Sequence, residues 1–149
     1  ADCTAVAVDL SAEAAAAAEA NAIKLGVADR LQVRVGSWHE PLAAGESFHL
    51  VTSNPPYIET AAIQGLEREV KDHDPLAALD GGKDGLDGYR QIIAKAFDRV
   101  ASGGALLVEI GASQAEPVSA LFRRAGFAGV TVEKDLAGLD RIVWGYHLS

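Results

Sequence analysis

Cysteine is nearly absent: Cys3 is the only one in 149 residues. That excludes an internal disulfide and a cysteine zinc cluster, and it fits a reducing cytoplasm. Long hydrophobic runs are missing as well. None approaches the ~20 residues of a membrane helix, and the first residues do not form a signal peptide. Positive charge is scarce, with 13 Lys and Arg against 21 Asp and Glu and a net charge of −8. A protein that holds nucleic acid by general electrostatics needs a basic footprint, which this balance does not provide. An acidic enzyme with a local basic site remains allowed. His39, His49, His73 and His147 show no metal-ligand spacing. There is no Gly-x-Ser-x-Gly nucleophile elbow and no Gly-x-Gly-x-x-Gly loop opening a strand–helix unit.

What is present is globular. A hydrophobic fraction of 49% supplies a sizeable core, and the length indicates one domain, residues 1–149. The chain opens on Ala1 rather than on a methionine and enters a strand almost at once. It therefore reads as a piece of a longer protein.

Thr4 to Val8 is an apolar run ending at Asp9, as in a buried parallel strand. Ser11 is placed to cap the alanine-rich helix Ala12 to Leu25, with Glu13 in its first turn and Gly26 beyond its end. Leu31 to Val35 is the next strand, followed by Gly36-Ser37-Trp38. Phe48 to Ser53 is the third strand. From Asn54 to Gly88 periodicity is weak, and connections of that length are usually functional or mobile. Tyr89, Ile92, Ile93, Ala96, Phe97 and Val100 recur at helical spacing, and Gly103-Gly104 is read as the stop. Ala105 to Ile110 is a strand, and Ser113 with Glu116 fits a capping box for a helix to about Arg124. Val130 to Glu133 and Arg141 to Tyr146 read as an antiparallel pair joined by Asp135 to Asp140. The expected architecture is α/β: a mostly parallel, Rossmann-like sheet with helices on both faces and a C-terminal antiparallel hairpin.

Ligands in such sheets bind beyond the carboxyl ends of the strands, where three candidates fall. Asp9 admits two readings, a carboxylate for a ribose diol or a charge at the helix N-terminus beside Ser11. Ser37-Trp38 also admits two, an indole over an adenine with Ser37 at the ring edge, or Trp38 closing the core. Asn54-Pro55-Pro56-Tyr57 is more specific. Two prolines cannot continue a ladder, so the chain leaves the sheet in a fixed direction. The Asn54 side-chain oxygen and the Pro55 carbonyl can accept both N–H bonds of a planar amide, and Tyr57 can stack on it. No strong base is needed to methylate that nitrogen, because its proton can leave after transfer. Positioning then supplies most of the acceleration. The competing reading is a plain Asn-Pro turn. Glu109 and Arg141 read as solvated or paired charges.

Ser53-Asn54-Pro55-Pro56-Tyr57-Ile58 resembles the signature of S-adenosylmethionine-dependent amino-methyltransferases. Three more stretches narrow the likeness: Ala78 to Arg90, Glu109-Ile110-Gly111 with Gln114, and Asp135 to Gly138 with Asp140-Arg141. Together they resemble the protein-(glutamine-N5) methyltransferases that modify the Gly-Gly-Gln glutamine of peptide-chain release factors. The resemblance implies S-adenosylmethionine as cofactor, a release factor as partner, Asp9 on the ribose, Ser37 and Trp38 near the adenine, and Asn54, Pro55, Pro56 and Tyr57 at the acceptor amide, with Asn54 also beside the cofactor. The net charge of −8 and the lack of a long apolar run set the other partner expectations, no stable nucleic-acid binding and no membrane. Ser37-Trp38 departs from the family, which often has an acid before the aromatic residue, and Asp74-Pro75 stands where Glu-Pro is usual. The family's first strand, Gly-rich loop and helix, and the α-helical domain before them, have no counterpart here. That strand would lie between those ending at Asp9 and Ser53. The expectation is that these residues alone bind cofactor poorly and pair or swap strands around the gap. Two alternatives stand beside this reading: a methyltransferase acting on an exocyclic amine of adenine or guanine, and a non-catalytic remnant or interaction module.

Overall fold

The computed structural model describes residues 3–65 and 75–148. The readings on His73 and Asp74 fall outside them. The chain divides into two compact units, Ala1–Ala44 and Gly45–Ser149.

In the first unit, β1 (Ala5–Asp9) and β2 (Leu31–Val35) pair in parallel, from Ala5 opposite Leu31 to Asp9 opposite Val35. Between them runs α1 (Ala12–Lys24). Its alanines favour helix at little entropic cost. Ser11 caps it, its hydroxyl accepting from the Ala14 N–H at 3.2 Å. Gly26 follows with φ +66°, the left-handed conformation suited to glycine. Ala15 and Ala22, seven residues apart on one helix face, are buried.

The second unit holds β3 (Phe48–Ser53), a 3₁₀ turn (Ile63–Gly65), α2 (Leu76–Leu79), α3 (Asp87–Ala96), β4 (Val100–Glu109), α4 (Ala115–Ala125), β5 (Ala128–Lys134) and β6 (Asp140–Tyr146). Its strand order is β3-β4-β6-β5. β3 and β4 are parallel, and the C-terminal hairpin pairs antiparallel with β6 against β4. Tyr89, Ile92, Ile93 and Ala96 of α3, Val118 and Phe122 of α4, Leu106 and Val108 of β4 and Val143 of β6 are buried. The four on α3 form an i, i+3, i+4, i+7 stripe, and Val118 and Phe122 an i, i+4 pair on α4, as on the apolar faces of amphipathic helices. Phe127 extends the cluster, its ring 5.3 Å from Phe122 and 5.5 Å from Phe97.

Three local expectations are corrected. Val100 opens β4 rather than closing α3, which ends at Ala96. Gly103-Gly104 is not a helix stop but lies within β4, where Phe48 opposes Val100 and Leu50 already opposes Ala105. Gly103 there has φ +78°, and a Cβ on Gly104 would lie 2.7 Å from the His49 carbonyl oxygen, so the irregularity needs both glycines. The residue before α4 is Gln114, not Ser113, and no side chain caps this helix. The Gln114 amide is engaged elsewhere.

Among the described residues no helix is long and apolar enough to cross a membrane, and no cluster of His, Cys, Asp and Glu could hold a metal ion.

Candidate active site

β3 ends at Ser53, opposite Val108 of the parallel strand β4. Residues 54–57 and 109–111 therefore leave the sheet at one rim. Pro55 is buried, Tyr57 half-buried and Asn54 exposed. Among the described residues, neither the Asn54 side chain nor the Pro55 carbonyl takes part in a hydrogen bond. Both acceptors are left without a protein partner among the described residues.

The segment after the prolines is clasped by the glycine-rich loop that precedes α3. The Ile58 N–H donates to the Leu79 carbonyl at 3.1 Å, and the Gly81 N–H donates to the Ile58 carbonyl at 2.8 Å. The Thr60 N–H donates to the Gly82 carbonyl at 2.9 Å. Asp80 locks the clasp, its Oδ1 accepting from the Thr60 hydroxyl at 2.7 Å and the Gly82 N–H at 2.9 Å. The Thr60 bond first, and the Gly82 bond second, hold its carboxyl below the ordinary aspartate value. The loop needs its glycines. A Cβ on Gly81 would lie 2.8 Å from the Tyr57 Cα, and one on Gly85, which has φ +70°, would meet the Tyr57 carbonyl oxygen and lie 2.6 Å from Gln114 Nε2.

Gln114 ties this rim together. Its Nε2 donates to the Tyr57 carbonyl at 3.0 Å and to the Gly85 carbonyl at 3.1 Å. Its Oε1 accepts from the Gly111 N–H at 3.0 Å and lies 3.3 Å from the Tyr89 hydroxyl, which donates at 2.9 Å to the Glu109 carbonyl. Burial is the main cause that pushes the Tyr89 phenol far above its ordinary value, so it stays a donor. On the same rim Arg141 pairs with Asp135 at 3.1 Å and donates to the Ile110 carbonyl at 3.2 Å. It is a paired charge, as its sequence setting suggests. Tyr57, Glu59, Asp84, Gly111 and Gln114 border an open depression of about 630 Å³.

In the first unit, Asp9 and Ser37-Trp38 share the rim of the β1–β2 pair. The Gly36 N–H donates to the Asp9 carbonyl at 2.9 Å. The Asp9 Oδ1 accepts from the Ser11 N–H at 2.8 Å, which orients the carboxylate. Oδ2 makes no bond among the described residues, so an exposed carboxylate with one anchored and one open oxygen fits a ribose hydroxyl. Trp38 is half-buried with φ +48°, an uncommon conformation for a bulky residue. A Cβ on Gly36 would collide with the Pro41 ring, so the turn that presents Trp38 requires glycine there.

The structure thus groups Asp9, Ser37 and Trp38 on one rim, and Asn54, Pro55, Pro56 and Tyr57 on another. The supporting parts, Asp80, Gly81, Gly85, Tyr89 and the four-way role of Gln114, are not assigned by the chemistry of the sequence alone. Their signals in the sequence are the density of glycine from 81 to 88 and the family likeness of Ala78 to Arg90 and of Gly111 with Gln114, neither of which assigns them a role.

No family model matches the chain. A release factor glutamine methyltransferase of Caulobacter vibrioides is 46% identical over 138 residues, covering 93% of this chain and 47% of the relative. One from Geobacter sulfurreducens is 45% identical over 140 residues, covering 94% and 48%. This chain is similar to release factor glutamine methyltransferases. The likeness holds across bacteria, since a relative of that name from Clostridium acetobutylicum is 39% identical over 136 residues. The chain spans about half the length of these release factor glutamine methyltransferases. Among solved structures, a methyltransferase from Pyrococcus furiosus superposes with a TM-score of 0.71 at 15% identity, over 99% of this chain and 64% of that one. A ribosomal protein L11 methylase from Lactobacillus delbrueckii subsp. bulgaricus gives 0.68 at 14% identity, over 98% and 58%. The fold is that of the S-adenosylmethionine-dependent methyltransferases.

Proposed function

We propose that residues 1–149 are a catalytic portion of a methyltransferase acting on the side-chain amide of the Gly-Gly-Gln glutamine of peptide-chain release factors. The observation that carries the reading is the pair of acceptors without a protein partner among the described residues, Asn54 Oδ1 and Pro55 O, on a clasped turn at the end of β3. The likeness to release factor glutamine methyltransferases supplies the substrate. The glutamine N–H₂ group donates one bond to each acceptor, which fixes the nitrogen and pushes electron density onto it. Pro56 stiffens the turn, and Tyr57 packs on the amide plane. S-adenosylmethionine, when bound, supplies an electrophilic methyl carbon on a positively charged sulfur. In the first unit Asp9 would hold a ribose hydroxyl through its unpaired Oδ2 and Ser37 and Trp38 would receive the adenine; in the second, Asn54 would hold the acceptor amide. The amide proton leaves after the N–C bond forms, so no side chain needs to act as a strong base.

The negative charge disfavours nucleic acid as the substrate. The lone cysteine suits a reducing, cytoplasmic setting. Among the described residues β1 pairs only with β2, and β3 only with β4, which supports strand exchange between copies of this chain on its own. Sedimentation would then give a mass above 15.5 kDa that rises with concentration.

The deciding experiment follows labelled methyl from S-adenosylmethionine, using the protein that carries this chain. Label on release factor, lost when the acceptor glutamine is replaced, is expected. Label on DNA or RNA instead would overturn the reading, and label on neither would leave an interaction module.

A further inference from the structure

The Gln114 side chain commits both of its N–H donors, to the Tyr57 and Gly85 carbonyls, while its oxygen accepts from the Gly111 N–H and lies 3.3 Å from the Tyr89 hydroxyl. Those groups belong to the segment after β3, the glycine loop, the turn after β4, and α3. Few single side chains touch four segments, and every partner here but one is main chain. Tyr57 is the last residue of the Asn54-Pro55-Pro56-Tyr57 turn, so its carbonyl sets where that turn ends. The clasp through Ile58, Thr60 and Asp80 fixes the next residues but leaves the Tyr57 carbonyl to Gln114. We infer that Gln114 is a positioning residue for the acceptor site: by donating to the Tyr57 carbonyl it fixes the pitch of the proline turn and the plane of the Tyr57 ring. The inference rests on the glutamine-methyltransferase reading for its kinetic consequence, though not for its geometry.

The amide chemistry matters here more than the volume. In Gln114→Glu the shape is kept, but a carboxylate would face the Tyr57 and Gly85 carbonyls. Protonation restores one donor, so acid should restore part of the function. Gln114→Met keeps the approximate volume and has no donor at any pH.

Both variants should lower kcat about 10- to 100-fold, the scale on which displacement of a reacting group acts, while the KM for S-adenosylmethionine stays unchanged. As pH falls, the activity of Gln114→Glu should rise relative to Gln114→Met. The two share the neighbouring titratable groups Tyr57, Glu59, Asp84, Tyr89 and Glu109, so the ratio isolates position 114. A merely structural role would lower the melting midpoint of both and leave kcat per folded molecule unchanged, with a flat ratio; that result overturns the inference. A second measurement needs neither variant nor turnover. In the unsubstituted protein, both Gln114 side-chain N–H protons should exchange slowly with solvent, and exchange at the rate of a free amide would overturn the inference. If that protein transfers no methyl group to release factor, the functional reading fails, and the exchange measurement still decides for or against Gln114.

Discussion

Asn54 is exposed and makes no hydrogen bond among the described residues, so its side chain does nothing visible for the fold. Asn54→Ala should therefore leave the melting midpoint in place and lower kcat about a hundredfold, since one of the two proposed amide acceptors is gone. Chemical denaturation run beside the methyl-transfer assay checks both halves. Gly85 is the converse case. It touches no proposed ligand, yet a Cβ there meets the Tyr57 carbonyl oxygen and lies 2.6 Å from Gln114 Nε2, at a φ of +70°. Gly85→Ala should cost about 1–3 kcal/mol of stability from the backbone conformation alone and should reduce activity further by moving Tyr57. A thermal midpoint equal to the parent's would show that the loop absorbs the methyl group. Asp9→Asn should weaken S-adenosylmethionine binding about tenfold or more, the scale of one charge-assisted hydrogen bond, as calorimetry would read.

The regular elements are legible in the sequence because their signals are local. Thr4 to Val8, Leu31 to Val35 and Phe48 to Ser53 are short apolar runs bounded by polar or turn residues, and the strands fall on them within a residue. Ser11 is the cap of α1 because its hydroxyl meets an N–H three residues on. The long connection after Asn54 is harder. Its order comes from pairing between Ile58 and Asp80, a contact 22 positions apart that no periodicity announces. Ser113 fails as a cap for a related reason, since the neighbouring Gln114 finds partners 57 and 29 residues away. The Asp80 clasp also carries a pH signature. Its carboxyl is held below the ordinary value of 3.8 by Thr60 and Gly82, so its stabilising bonds are fully present above that value. They are lost only as pH falls through the lowered one. Amide exchange at Gly82 should stay slow at pH 4 and quicken below it, whereas Asp80→Asn should abolish that acid dependence.

At the scale of the molecule the two units differ in what they bury. The second contains Tyr89, Phe122, Ile93, Leu106 and Val143 at 2% exposure or less. Among the described residues of the first, only Ala15, Ala22 and His39 are buried. Small apolar side chains offer little burial energy, and a unit of that size is marginal by surface-to-volume scaling. Native-state hydrogen exchange should accordingly show β1 and β2 opening at lower free energy than β4 and β6. Equal protection in both would mean that they unfold as one. In the second unit Phe122→Ala should cost about 3–5 kcal/mol, a large share of the stability of any domain this size.

The Pro55 carbonyl is a main-chain atom, and no substitution at position 55 can delete it. Half of the proposed acceptor pair is thus shielded from direct mutation, and so is the Tyr57 carbonyl that Gln114 grips. The heritable vulnerability shifts to residues that never meet a substrate. Gly81 and Gly85 must stay without a side chain, and Gln114 must keep its amide. In a lineage that loses this activity by drift, the first damage should appear at those supporting positions, while Asn54-Pro55-Pro56-Tyr57 still reads as intact.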